Sequence, residues 1–290
     1  MGFDMVKRIL VTGNTGLLGR AVMSRFSTEP DLEPIPFRTA ENPRSIINGR
    51  DCISATKDVW AIVNLASKQA YTACTWEQMN AVNAIGAKNI RQAGLDAGVK
   101  IFVQASTETI YDLGKIPKAG FSEDSPLNPN SDYSLSKLEA EKQLMSLSDS
   151  GLIIFRICSI FGDHPPPQSF IEYLVQCVKH GEPIIIWGKG ERFYDILSAW
   201  DIAGVFVQAL RKGLEGVYNL GSGQVITVKD IAESFRRMSG AEIRYLAERQ
   251  EKPGYLLNTS KLSSQIEFKP TDLDTGFRRM MNYQLGGSHE

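Results

Sequence analysis

Short runs of β-branched and other apolar residues alternate along this chain with longer stretches in which apolar positions recur at helical spacing. Such alternation is typical of βαβ units around a parallel sheet. The runs predict strands at residues 8–12, 32–37, 60–64, 101–105, 152–157, 184–186 and 216–220. The helical stretches predict helices at residues 17–26, 75–97, 133–147, 170–180 and 201–211.

Two parts of the chain interrupt this alternation. Residues 43–57 have no clear pattern, and counting a third unit there makes 60–64 the fourth strand. After Pro165, Pro166 and Pro167 the elements become mixed. The fold prediction is therefore α/β, a doubly wound parallel sheet with a smaller mixed C-terminal region.

Composition and charge exclude several classes of function. The 32 basic residues are balanced by 33 acidic ones, so no basic excess exists to bind nucleic acid or a membrane surface. No apolar run reaches the ~20 residues of a membrane helix, and no signal-peptide core is present, so we expect a cytoplasmic protein. The four cysteines form no C-x-x-C pair, which predicts neither a zinc site nor a disulfide framework.

Three glycines follow the first predicted strand at the spacing G-x-x-G-x-x-G. Gly13, Gly16 and Gly19 stand between that strand and the first helix. Glycines let the backbone turn sharply and approach a pyrophosphate, which binds the free N–H groups of the helix N-terminus. The loop predicts a Rossmann-type dinucleotide site, with these contact residues: Gly13, Thr15, Gly16, Leu17, Leu18 and Gly19.

The end of the second predicted strand indicates which dinucleotide binds. An acid there would accept hydrogen bonds from the adenosine ribose, whereas an arginine pairs with a 2′-phosphate. The strand ends at Phe37-Arg38, and Glu33 lies at its start, where it points away from the site. The sequence therefore favours NADP through Arg38, with NAD as the alternative.

A tyrosine and a lysine four residues apart carry the candidate acid–base chemistry. On a helix this spacing places Tyr133 and Lys137 on one face, one turn apart. A nearby cation favours the phenolate and makes the phenol useful for proton transfer. Ser106 and Thr107 follow the strand at 101–105, and a hydroxyl there could donate to a substrate carbonyl.

In this order and spacing, the glycine loop, Thr107, Tyr133 and Lys137 make the chain resemble the extended short-chain dehydrogenase/reductases, the NAD(P)-dependent epimerase/dehydratase family. Three further segments are similar to family motifs. Residues 64–67 resemble the family's H-L-A-A motif, and residues 83–89 resemble its N-x-x-G-T-x-N motif. Residues 156–162 resemble its R-x-x-N-x-Y-G motif. Gly188-Lys189-Gly190, Asp201-Ile202-Ala203 and Ser260-Lys261-Leu262 follow in family order.

This resemblance implies hydride transfer at a hydroxyl or keto carbon, usually C4, of a nucleotide-activated sugar. Thr107, with Ser106 as the alternative, would be the family's Ser/Thr position, Tyr133 would be the acid/base, and Lys137 would hold the nicotinamide ribose. Beyond the glycine loop, the implied cofactor contacts are Leu65, Ala66, Ser67 and Asn83, the last supporting Lys137. The implied substrate contacts are Lys68, Glu108, Ser159 and Arg192.

The resemblance also implies a domain division and an assembly. Residues 1–162 plus about 196–223 would form the dinucleotide-binding domain, and about 163–195 plus 224–285 the substrate domain. Many relatives form homodimers through the helices predicted here at residues 75–97 and 133–147.

Departures from the family pattern leave the reaction open. Glu108-Thr109 replaces the Asp-Glu pair of the dehydratases, which disfavours elimination of water. Tyr194 replaces the arginine that holds the substrate diphosphate, and Arg192, two residues earlier on the same strand face, is its expected substitute. The sequence predicts a 4-epimerase or 4-ketoreductase. The alternatives are an NADP-dependent reductase of a non-nucleotide carbonyl and a non-catalytic NADP-binding regulatory subunit. The presence of Thr107, Tyr133 and Lys137 together argues against the non-catalytic subunit.

Overall fold

The computed structural model describes residues 6–148, 150–247 and 254–286, and within them a six-stranded parallel sheet forms the centre. Its strands are β1 (Lys7–Thr12), β2 (Leu32–Pro36), β3 (Ala61–Asn64), β4 (Ile101–Thr107), β5 (Leu152–Ile157) and β10 (Gly216–Leu220). They lie in the order β10-β5-β4-β3-β1-β2. The chain moves outward from β1 to β2 and then crosses to β3 on the other side of β1.

Helices cover both faces of this sheet, because neighbouring positions in each strand are buried on opposite sides. Ile9 and Val11 of β1 pack into a core that includes α1 (Leu17–Ser27) and α7 (Ala199–Lys212). Leu10, between them, packs into a second core on the opposite face. That core includes α2 (Gly49–Ala55), α4 (Ala87–Asp96) and α5 (Asp132–Leu147).

The carboxyl ends of β1 and β3 meet where the strand order reverses, which is where α/β sheets bind ligands. Two further short helical segments lie near this edge: α3 (Trp76–Asn80), which continues through a π-helical turn (Ala81–Gly86) into α4, and a 3-10 turn (Glu108–Ile110) after β4.

The C-terminal elements form a third core beside the sheet. Its helices are α6 (Phe170–His180), α8 (Val228–Ser239) and α10 (Leu273–Gln284), whereas Leu262 of the short helix α9 (Ser260–Ser263) packs into the first core. Short strands pair in twos: β6 (Ser159–Phe161) with β9 (Ile196–Ser198), β7 (Ile184–Trp187) with β12 (Ile243–Leu246), and β8 (Phe193–Tyr194) with β11 (Ile226–Thr227).

The doubly wound α/β fold is confirmed, and one strand count is wrong. The strand at residues 61–64 is the third, because residues 43–57 hold helix α2 and no strand. Asn48 caps this helix by accepting a hydrogen bond from the backbone of Arg50. Residues 1–5, 149 and 248–253 of the predicted domain ranges lie outside the described residues.

Within residues 6–148, 150–247 and 254–286, no helix combines the length and the apolar character that a membrane crossing requires.

Candidate active site

A cavity of about 530 Å³ opens at the carboxyl edge of the sheet, between the glycine loop and helix α5. It brings together residues that are distant in sequence, including the glycine loop, the end of β4, and Tyr133 with Lys137. Thirteen of the predicted site residues line it: Gly13, Thr15, Gly16, Leu17, Leu18, Gly19, Leu65, Ser67, Ser106, Thr107, Glu108, Tyr133 and Lys137. Its volume is within the usual ~300–1,000 Å³ range of ligand sites.

The glycine loop forms a cradle that side chains would fill. Gly13 has φ +63°, and a Cβ atom there would lie 2.6 Å from the carbonyl carbon of Leu65. A Cβ at Gly19 would overlap the Gly13 carbonyl oxygen and lie 2.8 Å from the Cα of Asn14. The loop therefore lies directly against the start of α1 and the end of β3, and leaves backbone N–H groups open to a pyrophosphate. These residues fit a dinucleotide.

We expect Gly19→Ala to destabilise the protein by about 1–3 kcal/mol, because the added methyl group meets backbone atoms that cannot move aside. Gly204→Ala in α7 is the matched control, since no atom lies within 4 Å of the Cβ position there. In that helix interior alanine should stabilise by about 0.5–1 kcal/mol. Urea unfolding of the two variants measures both effects. Equal effects of the same sign would contradict the close approach at Gly19.

Helix α5 presents Tyr133 and Lys137 to the cavity. Ser131 caps the helix by accepting from the backbone N–H of Ser134, so that Tyr133 lies in its first turn. The Lys137 ammonium lies 6.0 Å from the centre of the Tyr133 ring. Burial raises the pKa of the Tyr133 phenol above its ordinary value, and the charge of Glu108 raises it further, while a hydrogen bond with Ser67 lowers it.

Lys137 is almost fully buried, and burial lowers the pKa of its ammonium group to about 8. The carboxylate of Glu141, one helical turn further along α5, opposes this change. Lys137 is therefore charged at neutral pH but loses its proton more easily than a surface lysine. The protein groups around Tyr133 do not by themselves lower the pKa of its phenol in the way that the sequence predicted. A lower pKa requires a further cation beside the phenol, which an oxidised nicotinamide supplies when bound.

The two hydroxyls at the end of β4 point to different partners. Ser106 donates to the buried carboxylate of Glu141 at 2.5 Å, behind the cavity wall. Glu141 also forms a buried ion pair with Arg156 at 2.9 Å. Thr107 instead donates to Glu108 at 2.9 Å. Glu141 is fully buried, whereas Glu108 lines the cavity, and this difference favours Thr107 as the hydroxyl that faces a substrate.

The loop after β3 is fixed by hydrogen bonds at both ends. The Thr12 hydroxyl accepts from the backbone N–H groups of Leu65 and Ala66, each at 3.1 Å. Asn83, in the π-helical turn, accepts from the Lys68 N–H at 2.7 Å and donates to its carbonyl at 3.0 Å. The third hydrogen bond of the Asn83 side chain goes to the Ser136 hydroxyl, next to Lys137 on α5, and the support of Lys137 through the backbone or a water stays a prediction.

Several predicted residues lie outside the cavity lining in the part of the chain that the structure describes: Arg38, Ala66, Lys68, Asn83, Ser159 and Arg192. Arg38 follows β2, and its carbonyl accepts from the side chain of Asn14 in the glycine loop at 3.0 Å. Glu33 pairs with Arg8 at the opposite end of the strands, as its position in the sequence predicts. The Arg192 guanidinium stacks 4.6 Å from the centre of the Tyr194 ring.

The cavity also contains residues that sequence reasoning missed. Tyr71 and Gln69 line it from the loop after β3, and Cys158 lines it from the end of β5. Residues 65–75 lack any periodic pattern, so the sequence gives no signal for the direction of these side chains. Cys158 directly precedes the serine at the family's asparagine position, and that motif could have indicated it.

Comparison with known proteins gives a consistent result. The sequence pattern of the NAD dependent epimerase/dehydratase family matches residues 9–221. A dTDP-D-glucose 4,6-dehydratase from Mus musculus is 30% identical over 261 residues, 79% of this chain and 72% of that enzyme. A dTDP-4-dehydro-6-deoxyglucose reductase from Escherichia coli is 25% identical over 94% of this chain and 96% of its own length. Other curated relatives match this chain over a smaller part of their own length. The human dTDP-D-glucose 4,6-dehydratase, for example, is matched over 44% of its length.

A solved structure supports the fold over almost the whole chain. The UDP-glucose 4-epimerase of Thermotoga maritima, determined with UDP-glucose, has a TM-score of 0.84 and 19% identity. The superposition covers 96% of this chain and 98% of that one. Since the family pattern spans most of the chain and includes the glycine loop, Thr107, Tyr133 and Lys137, the chain belongs to the NAD dependent epimerase/dehydratase family.

Proposed function

We propose that this protein transfers hydride between a nicotinamide dinucleotide and a hydroxyl or keto carbon, C4, of a nucleotide-activated sugar. One observation carries the proposal: a single cavity joins a dinucleotide cradle to Thr107, Tyr133 and Lys137. Tyr133 and Thr107 are positioned to hold the reacting sugar oxygen, and Tyr133 to take or give its proton. The names of the mouse and Escherichia coli relatives describe enzymes of dTDP-activated sugars, which supports a nucleotide sugar as the substrate here.

Thr107, Tyr133, Lys137 and Ser67 of the cavity have roles in this proposal. The Thr107 hydroxyl, which donates to Glu108 in the free protein, would turn its proton to the sugar oxygen and thereby orient the reacting carbon. Lys137 would bind the ribose next to the nicotinamide, and its charge would favour the phenolate of Tyr133. Ser67, whose hydrogen bond lowers the pKa of Tyr133, would stabilise the same phenolate.

The proposal is tested by identifying the cofactor and then the sugar. Denaturing the purified protein releases any tightly held nucleotide for identification by mass spectrometry. UDP-, dTDP- and GDP-sugars are then mixed with protein and oxidised or reduced cofactor, and absorbance is followed at the nicotinamide band. We expect turnover of one nucleotide sugar and none of the corresponding free sugar. Turnover of a simple carbonyl compound alone would favour the non-nucleotide reductase.

A 4-ketoreductase is the form of this activity that we favour over a 4-epimerase. The Escherichia coli reductase aligns over nearly the whole chain, and an arginine follows β2. A reductase releases its cofactor after every turnover, whereas an epimerase regenerates it in place. Protein that consumes one equivalent of reduced cofactor per product supports the reductase. Isomer formation without net change in the cofactor supports the epimerase.

We further propose that Arg38 selects NADP. The carbonyl of Arg38 is tied to Asn14, so this residue lies beside the phosphate cradle with its side chain exposed. We expect Arg38→Ala to weaken NADPH binding about tenfold and NADH binding less than twofold, because a charge-assisted pair with the 2′-phosphate contributes about 1.5 kcal/mol. Titration of nicotinamide fluorescence measures both affinities, with Arg8→Ala at the far end of β1 as control. Equal weakening of both cofactors would contradict the assignment.

The homodimer implied by the family is a further part of the proposal. Ile85 in the π-helical turn and Leu135 on α5 are 45% and 44% exposed, although both are large apolar side chains. They lie on the two helical segments that are expected at the dimer interface. We expect Leu135→Glu to shift the mass in light scattering from dimer to monomer, while Val225→Glu, at an exposed apolar residue elsewhere, leaves it unchanged. A wild-type monomer at high concentration would disprove the dimer.

A further inference from the structure

A hydrogen bond joins the Thr107 hydroxyl to the buried carboxyl group of Glu108. Thr107 ends β4 and caps the 3-10 turn that follows, because its hydroxyl accepts from the backbone N–H of Thr109 at 3.2 Å. The turn places the Glu108 side chain beside this hydroxyl, with 2.9 Å between Oγ1 and Oε2. Thr107 and Glu108 are 5% and 7% exposed, and both line the cavity. The direction of this bond therefore decides what Thr107 offers to a ligand in the cavity.

An ionised Glu108 takes the proton of Thr107. A threonine hydroxyl has one proton and two lone pairs, and the Thr109 N–H occupies one of the lone pairs. The oxygens of a carboxylate are acceptors only, and a bond to a charged acceptor is stronger than a bond between neutral groups. The Thr107 proton therefore points to the carboxylate and is withheld from a sugar oxygen. The Thr109 hydroxyl, 3.1 Å away, is the neutral alternative partner.

A proton on Glu108 reverses this bond. The carboxyl group then becomes a donor, and its O–H on Oε2 fills the second lone pair of Thr107. The Thr107 proton is released to the cavity. The proton that Glu108 takes up comes from water in the open cavity, and only O–H bonds change. Since hydride transfer places negative charge on the reacting sugar oxygen, a donor at that oxygen stabilises the transition state.

The surroundings of Glu108 favour its protonated form. Among the described residues, no ion pair joins Glu108 to a lysine, arginine or histidine. Burying an unpaired carboxylate is costly, so such a group takes up a proton instead. Burial raises the pKa of Glu108 to about 7, and the hydrogen bond from Thr107 acts against burial. The titratable groups that face Glu108 or share its cavity are Tyr133 and Lys137 on α5, Cys158 after β5, Asp195 between β8 and β9, and Tyr255 before α9.

We propose that Glu108 is a positioning residue for Thr107: its protonated carboxyl group donates to the Thr107 hydroxyl and thereby releases the Thr107 proton to the reacting sugar oxygen. This inference rests on the proposed function for the identity of the ligand. It accounts for a hydroxyl that donates to Glu108 in the free protein and yet serves as a donor to substrate. Glu108 acts through Thr107 in this arrangement and need not touch the reacting carbon.

Glu108→Gln tests this role, because glutamine has no titrating proton and its hydrogen bond with Thr107 is the same at every pH. The substrate is the nucleotide sugar that the screen of UDP-, dTDP- and GDP-sugars identifies. We expect the ratio of wild-type to variant kcat/KM to fall about tenfold from pH 6 to pH 8, as the protonated fraction of Glu108 falls from about 0.9 to about 0.1. Lys137 titrates in both proteins, so the ratio suppresses its contribution. A constant or rising ratio would overturn the positioning role.

The same comparison in a Thr107→Val background separates this role from a direct effect on Tyr133, whose pKa the charge of Glu108 raises. Without the hydroxyl, Glu108 has nothing to orient. We therefore expect the ratio of Thr107→Val to the double variant to change less than about threefold from pH 6 to pH 8. A tenfold fall in this background as well would show that Glu108 acts on Tyr133, and would overturn the role proposed for it.

A titration of the free protein, labelled with ¹³C at the glutamate carboxyl carbon, tests the Thr107–Glu108 bond without substrate. The Glu108 signal is the one missing from Glu108→Gln. Thr107→Val removes a donor from the ionised carboxylate, so we expect the midpoint to rise by about one pH unit. Ser106→Ala is the matched control, since that hydroxyl bonds to Glu141, and it should leave the midpoint in place. Should Thr107→Val fail to fold, Thr107→Ala removes the same hydroxyl.

The titration and the kinetics fail in different ways. An unchanged midpoint in the Thr107 variant would overturn the positioning role whatever the substrate is. A midpoint that rises in a protein that turns over no nucleotide sugar would support the Thr107–Glu108 bond and contradict the proposed function instead.

Discussion

Replacing Tyr133 with phenylalanine will reduce kcat about a thousandfold, because proton transfer by a positioned side chain contributes 10²–10⁴-fold. The variant lacks only one oxygen atom, so the apolar contacts of the ring with the cavity remain. Since the phenol is expected to act on the sugar oxygen, dinucleotide affinity should stay within about threefold of wild type. Stopped-flow absorbance at the nicotinamide band measures turnover, and fluorescence titration measures binding.

Tyr71 provides the matched control for this experiment. It is the other phenol lining the cavity, but it lies on the loop after β3 and is 46% exposed. Tyr71→Phe should lose less than about tenfold in kcat, since it supplies no proton to the reacting oxygen in this account. Equal losses in the two variants, or an active Tyr133→Phe, would remove Tyr133 from the mechanism.

Replacing Lys137 with methionine will have opposite effects on activity and on stability. Activity should fall about a hundredfold, because the phenolate of Tyr133 loses a nearby positive charge. The pKa of Lys137 falls from 10.5 to about 8 on folding. Below pH 8 the lysine is charged in the folded and unfolded states, and burying that charge costs about 3 kcal/mol by the usual conversion. A methionine of similar length avoids this cost.

The sign of the stability effect depends on pH in a way that can be measured. At neutral pH, Lys137→Met should raise the free energy of unfolding by up to about 3 kcal/mol. As pH rises from about 8 towards 10.5, the wild-type lysine is neutral in the folded state, and the difference should shrink. Lys142→Met, at an exposed lysine on the same helix, should change neither quantity. A destabilised Lys137→Met would show that the ammonium stabilises the fold.

Local sequence patterns predict groups that the structure brings together in one cavity. The glycine spacing, the strand that precedes it and the Tyr133–Lys137 spacing each depend on a few neighbouring residues, and these groups all line one cavity. The error in strand number has a related cause. Residues 49–55 form a helix too short to show a helical period, so α2 was not recognised and an extra unit was counted.

The substrate half could not be predicted in the same way, because its contacts join residues far apart in the chain. Ser159 and Tyr255 are 96 positions apart, and neither lies in a periodic pattern that specifies the other. Ser106 and Glu141 show the same limit, since the serine hydroxyl turns behind the cavity only because a carboxylate on α5 is buried there. Arg192 stacks on Tyr194, and its contact with the substrate stays a prediction.

The central claim is that hydride moves between the nicotinamide and the sugar in this cavity while Tyr133 handles the proton. In the most direct test, the protein and oxidised cofactor are mixed with the protein's nucleotide sugar, which carries deuterium at C4. The mass of the cofactor is then measured by mass spectrometry. The account predicts reduced cofactor that has gained one deuterium with the wild type and almost none with Tyr133→Phe. Reduced cofactor without deuterium, or deuterium transfer at full rate in Tyr133→Phe, would contradict it.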